Sequence, residues 1–225
     1  MKIFLKAFGI MLLTFFLFSP SAFAIPVPIQ NASFEFSSGP AKTVDGYGTW
    51  TTSNLDGWNY SGDTYWGGWT PGDSIGNFYS GGIPDNSIGY ISGGSISQSL
   101  GWEIKANNIF TVSPDLGNRF DYPLPEYGVQ LWAGDTVLAS NGSVVPEIGI
   151  FDPLTLSYTA LDGDLNIGSE LAIRIFSNSM LTFDNLQISN GSLASVPEPA
   201  MILLLGSGLV GLAGLGRKKF SRSKK

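Results

Sequence analysis

Tyr127-Gly128-Val129-Gln130-Leu131 sets its apolar residues two apart, and the same alternation returns in Leu154-Thr155-Leu156-Ser157-Tyr158-Thr159-Ala160 and in Leu171-Ala172-Ile173-Arg174-Ile175. A period of two puts the apolar members on one face of an extended chain, which is the pattern of a half-buried strand. Phe110 and Val112 alternate in the same way with Thr111 and Ser113. Asp56-Gly57, Asn141-Gly142 and Asp162-Gly163 fall between such runs and are turn signals, because these residues tolerate positive φ. No stretch of about a dozen residues between Ile25 and Ser195 keeps the three-and-four spacing of an amphipathic helix. The expected fold is therefore all-β, an antiparallel β-sandwich of jelly-roll kind.

The two ends read differently from this middle. Lys2 and Lys6 precede an apolar run from Phe8 to Phe18, and Ser19-Pro20 leads to the small-residue exit Ala22-Phe23-Ala24. That is the layout of a secretory signal peptide over residues 1–24, with cleavage expected after Ala24. The apolar run is well short of the roughly 20 residues that a spanning helix needs. At the other end, residues 196–225 hold Val196-Pro197-Glu198-Pro199, the apolar stretch Ala200 to Gly216, and a tail rich in Arg and Lys from Arg217 onward. The prolines stop a helix from extending backwards, so a single transmembrane helix is expected over 200–216, its basic end on the cytoplasmic side.

Composition narrows the chemistry. Of the 12 basic residues only Lys42, Lys105, Arg119 and Arg174 lie between the two end segments, whereas of the 18 acidic residues only Glu198 lies outside that middle. So acidic a domain would repel phosphates, and nucleic acid is excluded as an expected partner. The chain has no cysteine and no histidine. Disulfide staples, Cys or Ser-His nucleophiles and His-based zinc sites are thereby excluded, which leaves carboxylates, hydroxyls and lysine for any chemistry.

The C-terminal arrangement resembles the PEP-CTERM sorting signal of Gram-negative bacteria: Pro197-Glu198-Pro199, one short apolar helix, then a basic terminus. The resemblance implies recognition of Val196, Pro197, Glu198 and Pro199 by an exosortase, an integral-membrane cysteine peptidase of species that make exopolysaccharide. It implies export through the inner membrane, anchoring there by residues 200–216, and a later position at the cell surface or outside the cell.

Within the domain, Asn31-Ala32-Ser33-Phe34-Glu35 near its start and Leu181-Thr182-Phe183-Asp184-Asn185-Leu186 near its end resemble the galactose-binding-like sandwiches, a group that includes carbohydrate-binding modules. In that group the two segments lie side by side. Independently of the resemblance, the alternation of Leu181 and Phe183 is out of step with that of Leu186 and Ile188, so one extra residue at Asp184-Asn185 predicts a β-bulge. Such a bend either satisfies its own backbone groups or aims Asp184 toward Glu35, where the two carboxylates would bind a structural calcium ion.

From Gly57 to Gly101 glycines and aromatic rings are dense, and long loops over few strands are expected. Trp58, Trp66 and Trp69 are the candidate ligand-binding residues, since an indole face stacks on the apolar face of a sugar, although each of them also suits core packing. No pair of carboxylates is singled out by spacing, so an enzyme is not expected. The sequence thus points to an exported, sorted surface or matrix protein carrying a non-catalytic carbohydrate-binding module for exopolysaccharide. A surface glycan hydrolase and a structural biofilm component without specific ligand are the alternatives.

Overall fold

In a computed structural model of the chain, the structure describes residues 24–35, 41–44, 46–52, 55–193 and 207–208. Twelve strands follow in order: β1 (Ile25–Pro26), β2 (Ala41–Val44), β3 (Gly48–Thr51), β4 (Asn59–Ser61), β5 (Trp66–Thr70), β6 (Ile88–Glu103), β7 (Asn108–Asn118), β8 (Tyr127–Ala133), β9 (Thr136–Asn141), β10 (Ile150–Pro153), β11 (Leu156–Thr159) and β12 (Glu170–Ser192). A short 3-10 turn, Gly72–Asn77, lies between β5 and β6. All strand pairs are antiparallel, as the alternating runs predicted.

The predicted strands at 171–175 and 181–188 are parts of one 23-residue strand, β12, which lies beside β6 and β8 over its first half and beside β7 over its second. Glu170 at its start faces Glu103, and Ser192 at its end faces Asn108. About five residues separate Glu103 from Asn108, a reach of at most ~18 Å, whereas a straight strand of this length would span ~75 Å. β12 must therefore fold back on itself. Its register shifts between Ser177 and Met180 and again between Asp184 and Gln187, and there the strand turns its corner. The two layers are thus one 12-stranded sheet folded over.

Leu171, Ile173 and Ile175 on the first limb, with Val129 and Leu131, belong to the same buried core as Ile188 on the second limb and Phe110, Val112 and Leu156. A second, smaller core of Trp69, Phe78, Tyr79, Ile88 and Tyr90 sits on the other face of the corner, with Phe151 and Met180 packed against it. The fold therefore has two poles. Ile25 pairs with Asn190 at the pole where β12 ends, so the domain's first and last strands are joined by hydrogen bonds there. The corner lies at the other end of β7, roughly 30 Å away.

Residues 24–192 belong to one compact unit. The expected signal segment, Ala22 of its exit, the sorting motif Val196 to Pro199 and the apolar segment 200–216 lie outside the described residues, except for Ala24 and for Ser207 and Gly208, which are helical. No helix among the described residues is long and apolar enough to cross a membrane.

Candidate functional site

The slip in alternation at Asp184-Asn185 is a bulge in the structure, with Asn185 at φ +48°, a left-handed conformation that asparagine tolerates. Thr182 faces Tyr90 on one side and Gly117 on the other, and two residues on, Asp184 faces Asp115, so both side chains belong to the face that carries the smaller core. Asp184 is fully buried. Its Oδ1 accepts the Asn185 N–H at 2.7 Å, while its Oδ2 has no partner. Burial pushes its carboxyl up to about 7, and the nearby carboxylates of Asp85, Glu35 and Asp115 push in the same direction against the Asn185 N–H. At neutral pH a large share of the molecules therefore hold Asp184 as a carboxylic acid.

Its neighbours are occupied. Glu35 Oε1 accepts the Ser87 N–H at 3.1 Å, and Asp115 Oδ2 accepts the Asn185 Nδ2–H at 3.0 Å. The first and last motif segments do lie side by side, because the Leu186 N–H donates to the Ala32 carbonyl at 3.0 Å. Among the described residues no three acidic side chains come together to hold a metal ion. A calcium ion at Glu35 and Asp184 would rest on two carboxylates and backbone oxygens.

Along the same face, the Thr182 hydroxyl lies 2.6 Å from the Tyr79 hydroxyl and donates to the Gly117 carbonyl at 3.2 Å. Gly117 has no room for a side chain: a Cβ there would stand 2.6 Å from both the Phe151 ring and the Thr182 hydroxyl. Tyr90 donates to the Thr51 carbonyl at 2.7 Å, and burial raises its phenol to about 12; burial also holds the Tyr79 phenol well above its usual value. Neither is a base at neutral pH. Beside this core opens a cleft of about 210 Å³ lined by Pro71, Gly72, Ile75, Gly82, Ile83, Asp85 and Asn86. Asp85 both lines the cleft and acts on Asp184.

The three candidate tryptophans are not gathered on one surface. Trp58 packs at 5.2 Å from Phe34, Trp66 stacks on Tyr60 at 5.2 Å, and Trp69 meets Phe78 edge-on at 5.0 Å, all three buried. Trp66 and Trp69 are three apart on β5, so they enter different cores. Trp50, Trp102 and Trp132 are half-buried, the last under Arg174 at 5.5 Å. Among the described residues, the rings that do face solvent are Tyr47, Tyr65, Phe120 and Tyr122, none of which sequence reasoning selected. One signal for two of them was available: Phe120 and Tyr122 flank Asp121 just after Arg119, one of only four cations in the domain.

The family model described as HpiC1 cyclase matches residues 25–189, and the PEP-CTERM protein-sorting motif matches residues 195–218. A Stig cyclase from Fischerella sp. TAU, solved in complex with (3Z)-3-(1-methyl-2-pyrrolidinylidene)-3H-indole, is 24% identical at a TM-score of 0.64, over 76% of this chain and 99% of that one. A cyclase from Fischerella sp. TAU is 25% identical at 0.64, over 77% of this chain and 100% of that one. The CBM22-1 xylan-binding domain from Paenibacillus barcinonensis Xyn10C is 15% identical at 0.41, over 61% of this chain and 88% of that one. No curated protein matches the chain.

Proposed function

The chain belongs to the HpiC1 cyclase family and ends in a PEP-CTERM motif, and from that premise we propose that its exported, exosortase-sorted domain binds a ligand at Asp184. One observation supports the reading above the rest: a fully buried carboxyl with a free Oδ2 and a pKa of about 7, acted on by Asp85, which lines a cleft. In its acid form Asp184 donates a hydrogen bond to an acceptor placed against it, which the hydroxyl and ether oxygens of a carbohydrate supply. The proposed ligand is exopolysaccharide at the cell surface or in the matrix, bound without turnover, since Glu35 and Asp115 are already engaged by Ser87 and Asn185.

A second reading is favoured by the family and by the same raised pKa. A carboxylic acid that titrates near 7 is matched to donate a proton in a transition state, whether in a cyclase-type reaction or in glycan hydrolysis. Calorimetric titration of the full chain in detergent with exopolysaccharide fragments, from pH 5.5 to 8.5, separates the readings when products are analysed alongside. Under the binding reading affinity falls as pH rises through about 7, Asp184→Asn flattens that profile, and the fragments are recovered intact. Products that form with the wild type and vanish with Asp184→Asn would transfer the conclusion to acid catalysis. A fragment set that binds at no pH would favour a structural matrix component.

Calcium competes with the proton, because a metal ligand must be ionised. If Glu35 and Asp184 share an ion, calcium raises the melting temperature at pH 8 and not at pH 5.5, and Asp184→Ala abolishes the rise. The stabilisation reaches about 2.7 kcal/mol at a hundredfold excess over Kd. Identical melting curves with calcium and with chelator at both pH values would remove the metal.

A further inference from the structure

The corner pole carries a feature that Asp184 leaves unused. Arg119, just past the end of β7, has its guanidinium carbon 4.7 Å from the ring centre of Trp69, 4.7 Å from that of Phe78 and 5.3 Å from that of Tyr122. Its Nε and Nη2 donate to the two carboxylate oxygens of Asp121 at 2.7 and 2.6 Å. The Arg119 side chain is only 10% exposed, so its plane is fixed by rings and carboxylate together. Tyr47 packs against Phe78 at 5.5 Å, and its carbonyl accepts the Trp69 Nε1–H at 2.6 Å. Tyr47 and Tyr122, both seated on this Phe78–Arg119 platform, are nevertheless 50% and 45% exposed.

We propose that Tyr47 and Tyr122, with the Arg119–Asp121 pair between them, form a docking rim for a neutral sugar ring. This deepens the carbohydrate-binding reading and rests on it, but uses none of the atoms of Asp184. An exposed aromatic face held from behind stacks on the C–H face of a pyranose with little further ordering cost. The planar pair offers Nη1–H donors next to a carboxylate acceptor, which matches two adjacent hydroxyls of one sugar ring. Charge decides the sugar class. Asp121 already neutralises Arg119, and the surrounding domain is strongly acidic, so uronate or sulfated glycans are repelled whereas neutral ones are not. The rim also lies at the pole away from Ile25 and Asn190, where the first and last strands of the domain meet.

The test titrates the full chain in detergent with cello-, manno- and galacto-hexaose and with hexagalacturonate as the anionic control. A neutral hexaose binds, and hexagalacturonate does not. Tyr47→Ala and Tyr122→Ala each weaken binding on the order of fivefold to tenfold and together abolish it. Tyr47→Phe and Tyr122→Phe, which keep the ring faces, bind like the wild type, and alanine variants that melt like the wild type show that the losses are not misfolding. A double alanine variant that binds as tightly as the wild type overturns the rim. If Asp184→Ala then loses that binding, the sugar sits at Asp184 and the carbohydrate reading stands without the rim. Tighter binding of hexagalacturonate overturns the charge argument, and a chain that binds none of the four probes overturns the rim and the carbohydrate reading together.

Discussion

The melting temperature of the domain falls as pH is raised from 5 to 8, and Asp184→Asn removes most of that fall. The sign follows from burial. An unfolded aspartate releases its proton near 4, whereas folded Asp184 keeps it to about 7. Between those values the folded state binds more protons than the unfolded one, so stability declines with rising pH and levels off above about 7. The contribution is fully present in acid and lost on the alkaline side. A rise of this size is worth on the order of 4 kcal/mol, or roughly 8–16 °C for a domain of this size. Asparagine keeps the acceptor for the Asn185 N–H and carries no charge at any pH, so the variant matches the wild type near pH 4 and melts higher at pH 8. Asp164, whose carboxylate is held below its usual value by the Tyr158 hydroxyl, acts in the opposite sense but only in more acid solution. Thermal melts of both proteins across this range check it; parallel curves would mean that Asp184 is ionised in the fold.

What was legible in the sequence was local. The strands at 127–131, 110–113 and 171–175 and the bulge at Asp184-Asn185 are each fixed by alternation within a few residues. What was not legible depends on distant partners. Alternation tells which face a residue takes, not that Glu170 and Ser192 end at one pole, because that follows from the pairing of a single strand with both β6 and β7.

Glycine density between Gly57 and Gly101 predicts looping, with the rings either displayed or packed in the core. The structure uses several of these glycines differently. A Cβ at Gly89 would lie 2.3 Å from the Phe183 ring and 2.9 Å from that of Phe34, and one at Gly67 would lie 2.2 Å from the Thr51 carbonyl. These positions are empty so that rings and backbones can be buried against them. The exposed pair Tyr47 and Tyr122 lies in segments with no alternation, and only the platform of Phe78 and Arg119 beneath them marks them as a site.

Phe34→Ala should cost about 3–5 kcal/mol, the range for emptying a buried phenylalanine site, and lower the melting temperature by on the order of 10 °C. Phe34 is fully buried at φ +52°, with its ring 4.7 Å from Phe183 in an edge-on contact and 5.2 Å from Trp58. Its N–H donates to the Asn31 carbonyl at 3.2 Å, which closes the turn. Alanine adopts the same φ no more easily than phenylalanine, so no relief of backbone strain offsets the lost contacts. The effect reaches the site because Glu35 follows directly and Asp184 is next to Phe183 in β12. Loss of the ring loosens the turn that carries Glu35, one of the carboxylates that raise the Asp184 pKa, and loosens Phe183 beside Asp184. The pH dependence described above should therefore shrink in Phe34→Ala, and Phe34→Leu should restore part of both stability and slope. A Phe34→Ala protein that melts within about 2 °C of the wild type, with the slope intact, would separate the turn at Asn31–Glu35 from the acid at the corner and leave Asp184 held by β7 and β12 alone.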